Sequence, residues 1–239
     1  MANQPWPLSR LVSKVQDDMD LHEENFVTTE DLKQFVNDAI DDAEEIIIDC
    51  FSDFFLTYSF AEVVAEDTEI ALPADIYESR IRGIWFNASG FESPVPTGEG
   101  YKVKKLKLER MMDVSTGDAY QYRLFNSSVL GQKLKIFPAI REDSEDQFLL
   151  CYIRQARRLY NTTDVLEKGI RVQYVLTHVK KAVASKIGDP MVEELKVKLD
   201  EQKQVIRRSL SNLTDDDEDS YLEPDDRAMN EAYGFDDYY

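Results

Sequence analysis

Two cysteines and two histidines are all this chain has of either residue. So few thiols exclude the disulfide-stapled scaffold of a small secreted domain, and Cys50 and Cys151, each inside an apolar run, read as core filler. With only His22 and His178, the imidazole arrangements that activate a nucleophile are scarcely supplied. His22 falls in a polar stretch and His178 on a helix flank, both as ordinary boundary residues. No P-loop, dinucleotide-binding glycine pattern, G-x-S-x-G elbow or H-E-x-x-H occurs. Cationic excess is missing too: 28 Lys and Arg stand against 47 Asp and Glu, a net charge of −19. Such a chain lacks the counterion-displacing cations that wrap nucleic acid or hold anionic lipid. No window is apolar for the length of a membrane span, and the first ten residues carry no basic stretch followed by an apolar one. The expectation is a protein used in a reducing cytosol, with no membrane partner.

What the chain does have is enough apolar content, 43% of 239 residues, to bury a core in one domain with an insertion or in two small ones. Leu8, Leu11, Val12, Val15 and Met19 share one helical face after Pro7, predicting a short helix that ends near Asp20. Thr28 is placed to cap a long helix whose apolar residues, from Leu32 through Val36, Ile40, Ala43 and Ile47 to Phe51 and Phe54, keep 3.6-residue spacing over about seven turns. Asp41, Asp42, Glu44 and Glu45 splay around that helix as a solvated side, so no metal site is read from them. Helical spacing returns from Gly169 to Ile187. Gly188, Asp189 and Pro190 then have the order of a left-handed C′ residue, an N-cap and a first helical residue. The last helix carries Leu195, Leu199, Ile206 and Leu210 and should pack antiparallel on its predecessor, with cations in its final turns.

Between these helical stretches the period shortens and turn residues appear. Strands are predicted at 81–86, 101–108, 120–125, 133–137 and 147–153, and residues 88–100 as a long mobile loop. On the second strand Lys102, Lys104, Lys105 and Lys107 form a wet, positive face. After Thr214 the pattern changes again: eleven carboxylates and a single Arg227 fill the sequence to Tyr239, together with Tyr221, Leu222, Tyr233, Phe235, Tyr238 and Tyr239. A stretch this charged cannot fold alone, yet solvating tails rarely carry aromatics, so it is read as an acidic tail, unstructured in the free monomer, whose aromatic residues anchor on a partner. Asp215, Asp217 and Asp219 have the odd spacing of a calcium loop, but Ser220 stands where that loop needs glycine and Asp226 where it needs glutamate. No catalytic, metal or cofactor residue is expected.

The fold class expected is therefore α+β. A helical bundle core of two N-terminal helices (1–57) and two C-terminal helices (161–213) carries an inserted β-rich domain (58–160), followed by the disordered acidic tail (214–239).

In order and pattern this resembles the head-to-tail connector (adaptor, or head-completion) proteins of tailed bacteriophages, over about residues 8–210. Leu8 to Val15, Asp17, Asp18, Thr29, Asp31 and Leu32, then Phe35, Val36, Asn37, Asp38 and Ala39, look like that family's opening helices with their [WF]-[IV]-N-x-A stretch. Leu72, Pro73, Ala74 and Asp75 look like its L-P-x-D. Leu134, Ile136, Phe137 and Pro138, followed by the strand with Tyr152, look like its hairpin, and Gly188 and Asp189 like the joint of its closing helix pair. The chain departs from the pattern at 88–110 and in the length of its tail.

The resemblance implies a structural, non-enzymatic protein of the virion neck, made in the host cytoplasm. It would form a ring, dodecameric by this likeness, that docks under the portal protein, extends the DNA channel and offers the attachment site for a tail or nozzle protein. DNA would pass without specific binding, since an acidic wall repels phosphates. The tail would dock on the portal or a neighbouring subunit, and the lysine face, with Arg154, Arg157 and Arg158, on acidic surfaces of adjacent subunits. The alternatives are a tail-tube or tail-terminator component, or an acidic regulator or DNA mimic that binds a basic host protein.

Overall fold

The computed structural model describes residues 5–21, 26–63, 69–94, 98, 100–105, 120–127, 131–139, 143 and 145–217. It is an α+β structure, and the described residues form four helices and two four-stranded sheets. The chain divides into two compact units, residues 1–51 with 157–239, and residues 52–156.

The first unit holds α1 (Leu8–Asp18), α2 (Thr29–Cys50), α3 (Val172–Ile187) and α4 (Val192–Asp217). Leu8, Leu11, Val12 and Val15 of α1 are buried, as their spacing predicts. Thr28 and Asp31 close a reciprocal capping box at the start of α2: the Thr28 side chain accepts from the Asp31 N–H, while the Asp31 carboxylate accepts from the Thr28 N–H. The helix stops at Cys50, short of the expected Phe54, because Phe51 is already extended and residues 52–55 form a turn. There Phe55 is buried and stacks edge-on against Phe54.

Gly188 ends α3 at a φ of 73°, a conformation glycine adopts without a Cβ penalty. The Asp189 carboxylate then accepts from the Met191 N–H at 2.8 Å, and α4 starts at Val192, so Pro190 lies in the turn rather than in the first helical position. Antiparallel packing of α3 on α4 follows from Arg171 meeting Ser209 and Thr177 meeting Gln202. Its apolar stripe, Leu195, Leu199, Ile206 and Leu210, is buried. α4 continues to Asp217, past the Thr214 boundary read from sequence, and its last turn carries acidic residues where cations were expected.

The second unit is built of β1 (Leu56–Phe60), β2 (Glu69–Ile70), β3 (Ile76–Phe86), β4 (Tyr101–Lys102), β5 (Lys104–Lys105), β6 (Gln121–Ser127), β7 (Gly131–Phe137) and β8 (Phe148–Arg154). One sheet has the order β1-β8-β3-β4, all antiparallel; the other has the order β2-β7-β6-β5, with β5 parallel to β6. Both sheets feed one core: Ile84, Phe148, Leu150 and Tyr152 from the first meet Ile70, Leu134 and Ile136 from the second. β8 is buried on both faces from Phe148 to Ile153, which explains why its sequence is an unbroken apolar run. At Gly83 the Trp85 ring lies so close that a Cβ would sit 2.6 Å from it, a place only glycine fills undisturbed.

Two strands, β1 and β2, were not anticipated, and the described part of the single strand expected over 101–108, residues 101–105, forms two, residues 106–108 lying outside the described residues. Val103 is the reason: its N–H reaches across to the Ile84 carbonyl at 2.7 Å and its side chain enters the core, so Tyr101–Lys102 pairs in one sheet and Lys104–Lys105 in the other. The start of the expected 88–100 loop is packed. Asn87 accepts from Ser89 and donates to the Gly90 carbonyl, and Phe91 is buried. Residues 95–97 and 99 lie outside the described residues.

Candidate functional site

Three groups of residues have a claim to function: the positions quoted for the resemblance, the cationic surface, and a polar cluster inside the helical unit.

Residues of the first group meet at long range. The Asn37 side chain reads both main-chain groups of Leu159, donating to its carbonyl at 3.0 Å and accepting from its N–H at 2.8 Å. Asparagine alone among residues of its size offers that paired donor and acceptor. Asp75 accepts from the Tyr152 hydroxyl at 2.9 Å, while its carbonyl accepts from the Gln155 N–H at 2.6 Å. Burial first, and this carboxylate second, push the Tyr152 phenol up to about 12. Asp18 bridges Lys14 and Lys180 at 2.6 Å each, tying α1 to α3, and Asp31 bonds Lys186 at 2.7 Å. The Lys186 and Thr28 hydrogen bonds hold the Asp31 carboxyl down at about 2. These residues fix element to element.

The cations divide. Lys102, Lys104 and Lys105 are exposed, but they belong to two sheets rather than to one strand, and Lys102 lies 5.8 Å from the Trp85 ring centroid. Lys107 lies outside the described residues. Arg158 forks onto Asp41 at 2.9 and 3.1 Å, and Arg154 lies over the Phe55 ring. Arg157 is exposed. The aromatic anchors of the tail, Tyr221, Leu222, Tyr233, Phe235, Tyr238 and Tyr239, lie outside the described residues, as does His22.

The third group was missed. Asp42 of α2 accepts a hydrogen bond from the Tyr174 hydroxyl of α3 and pairs with Lys203 of α4 at 3.1 Å, while His178 Nε2 stands 3.8 Å away. Beside it Gln202 donates to Thr177, which donates to the Gln173 carbonyl. Glu44, expected on a solvated side, is 7% exposed. Burial opposes ionisation of Asp42, but the Tyr174 hydroxyl and the Lys203 ammonium outweigh it and hold the carboxyl below its ordinary value. Burial, against the pull of Asp42, lowers His178, and burial together with the Asp42 carboxylate raises Tyr174. Among the described residues, the buried His178 Nδ1 and Gln202 Oε1 have no hydrogen-bond partner. The i, i+4 spacing of Tyr174 and His178 put both on one face, but no single sequence says that Asp42 faces them.

Chemically, the cluster is a cross-link. Its carboxylate stays charged, its phenol and imidazole stay neutral, and Cys151 in the other unit is pushed by burial up to about 11. No group of three or more His, Cys, Asp or Glu able to hold a metal is found among the described residues. No described helix is long and apolar enough to cross a membrane.

Fold and site together define an α+β protein whose perturbed polar residues brace its elements against one another. No protein-family model matches the sequence, and no curated protein matches it.

Proposed function

We propose that this chain is a head-to-tail connector of a tailed phage, a structural protein without turnover. Its four helices act as a bundle, and its copies form a ring under the portal protein in the virion neck, extending the DNA channel and receiving the tail or nozzle protein. The observation that carries this reading is the bonding of the residues quoted for the resemblance. Asn37, Asp75 with Tyr152, Asp31 and Gly188 all serve connections between elements, which is what order-preserving but degenerate motifs should encode if what they share is a scaffold. A net charge of −19 supports a channel wall that repels passing DNA.

The test is mass measurement of the purified full-length chain mixed with a purified portal ring. The reading expects a stoichiometric co-complex. No co-assembly, together with capture of a basic host protein, would establish the acidic-regulator reading in its place. Deleting residues 218–239 should leave a folded core that no longer docks, and unchanged portal binding by that variant would remove the tail's assigned role.

A further inference from the structure

An apolar groove of about 830 Å³ lies beside the start of α3, and the proposed function makes no use of it. Its wall is tied by main-chain bonds: Pro7 bridges to Val165, the Leu166 N–H bonds the Trp6 carbonyl at 2.9 Å, and the Leu8 N–H bonds that of Asp164 at 2.8 Å. Trp6, Val165, Ile170 and Val172 supply apolar surface, and Val165 is 43% exposed. The rim is basic, with exposed Lys168 and Arg171, and with the Arg10 guanidinium 4.1 Å from the Trp6 ring centroid. The one carboxylate in the lining, that of Glu167, accepts the Arg157 N–H at 3.2 Å.

We infer that this groove holds the acidic aromatic end of the same chain, residues 233–239. Three observations converge on that occupant. First, the segment reads Tyr-Gly-Phe-Asp-Asp-Tyr-Tyr, aromatic rings for the apolar floor and two carboxylates for Lys168 and Arg171. Second, α4 delivers the chain to the right end of the unit, because Ser209 accepts from the Arg171 guanidinium at 3.0 Å. From there the helix runs about 12 Å further to Asp217 at 1.5 Å per residue. Third, the fifteen residues 218–232, at up to about 3.3 Å each, are more than long enough to span that distance back, which would give the segment an effective concentration at its own groove of about millimolar. Docked in this way, the tail would be withheld from other partners until one competes for it. The inference does not rest on the connector reading, since it concerns the isolated chain.

The experiment is NMR of the full-length chain labelled with ¹⁵N-tryptophan, following the indole N–H of Trp6 with Trp85 as a control for the fold. Replacing Tyr233, Phe235, Tyr238 and Tyr239 by Ser should shift the Trp6 resonance and leave Trp85 in place. Lys168→Glu, an exposed change, should move Trp6 in the same direction, and neither position should change on dilution. An unmoved Trp6 in both variants overturns the inference. A Trp6 shift that depends on protein concentration also overturns it, by assigning the groove to the tail of a second copy.

Discussion

The Asp42 carboxylate is half-buried, and its lost hydration is offset by a phenol from α3 and an ammonium from α4. Removing one partner leaves the rest stranded. Tyr174→Phe should destabilise the protein by about 1.5–3 kcal/mol, the usual worth of a hydrogen bond to a charged group. Denaturant unfolding checks this, with the midpoint falling and the slope unchanged. His178 makes a second prediction. The folded state holds its imidazole neutral, whereas the unfolded chain protonates near 6.5, so unfolding takes up a proton below that pH. Stability should therefore fall as the pH drops through the window beneath 6.5, and His178→Gln should flatten that slope. Asp42 and Asp38 on α2, Lys181 on α3 and Lys203 on α4 set the local field and remain in the variant. The lowered carboxylates add their own losses further down, below 4.5 for Glu69 and below 3.8 for the aspartates. Thermal melts at closely spaced pH values separate the two windows.

At the scale of elements, the helices were legible because each carries a 3.6-residue stripe and its own punctuation. Thr28 with Asp31 starts α2, and Gly188 ends α3, where the sequence says they should. Strands were legible where β-branched and aromatic runs are bounded by turn residues, as in β3, β6, β7 and the two-sidedly buried β8, though β3 begins earlier than expected, at Ile76. β1 escaped because its five residues are all half-buried and show no alternation. The split at Val103 escaped because a crossing between sheets leaves no periodic trace; there the Val103 N–H bonds the Ile84 carbonyl and the side chain enters the core. The glycines offer a contrast that can be measured. A Cβ at Gly188 meets nothing within 4 Å, so Gly188→Ala should cost only the left-handed backbone penalty of about 1–2 kcal/mol, with the near-ultraviolet spectrum unchanged. Gly83→Ala, by contrast, displaces the Trp85 ring and should alter that spectrum.

For the molecule as a whole, charge and composition excluded more than they identified. The net charge of −19 spoke against nucleic-acid wrapping, but the polar cluster around Asp42 lies where α2, α3 and α4 meet, and such meetings are not encoded in any one segment. The candidate surfaces were legible only as composition: lysines in a row and tyrosines among carboxylates. Folding places Lys102 in one sheet and Lys104 and Lys105 in the other, so the face expected on one strand is divided between two. The connector account asks most of the molecule at this scale, since it requires copies of the chain to close a ring on another ring. Electron-microscope images of the full-length chain mixed with purified portal bear on that claim most directly. The account predicts portal particles extended along their axis by a second coaxial ring with an open channel; portal rings of unchanged length, with this chain left as free monomers, would contradict it.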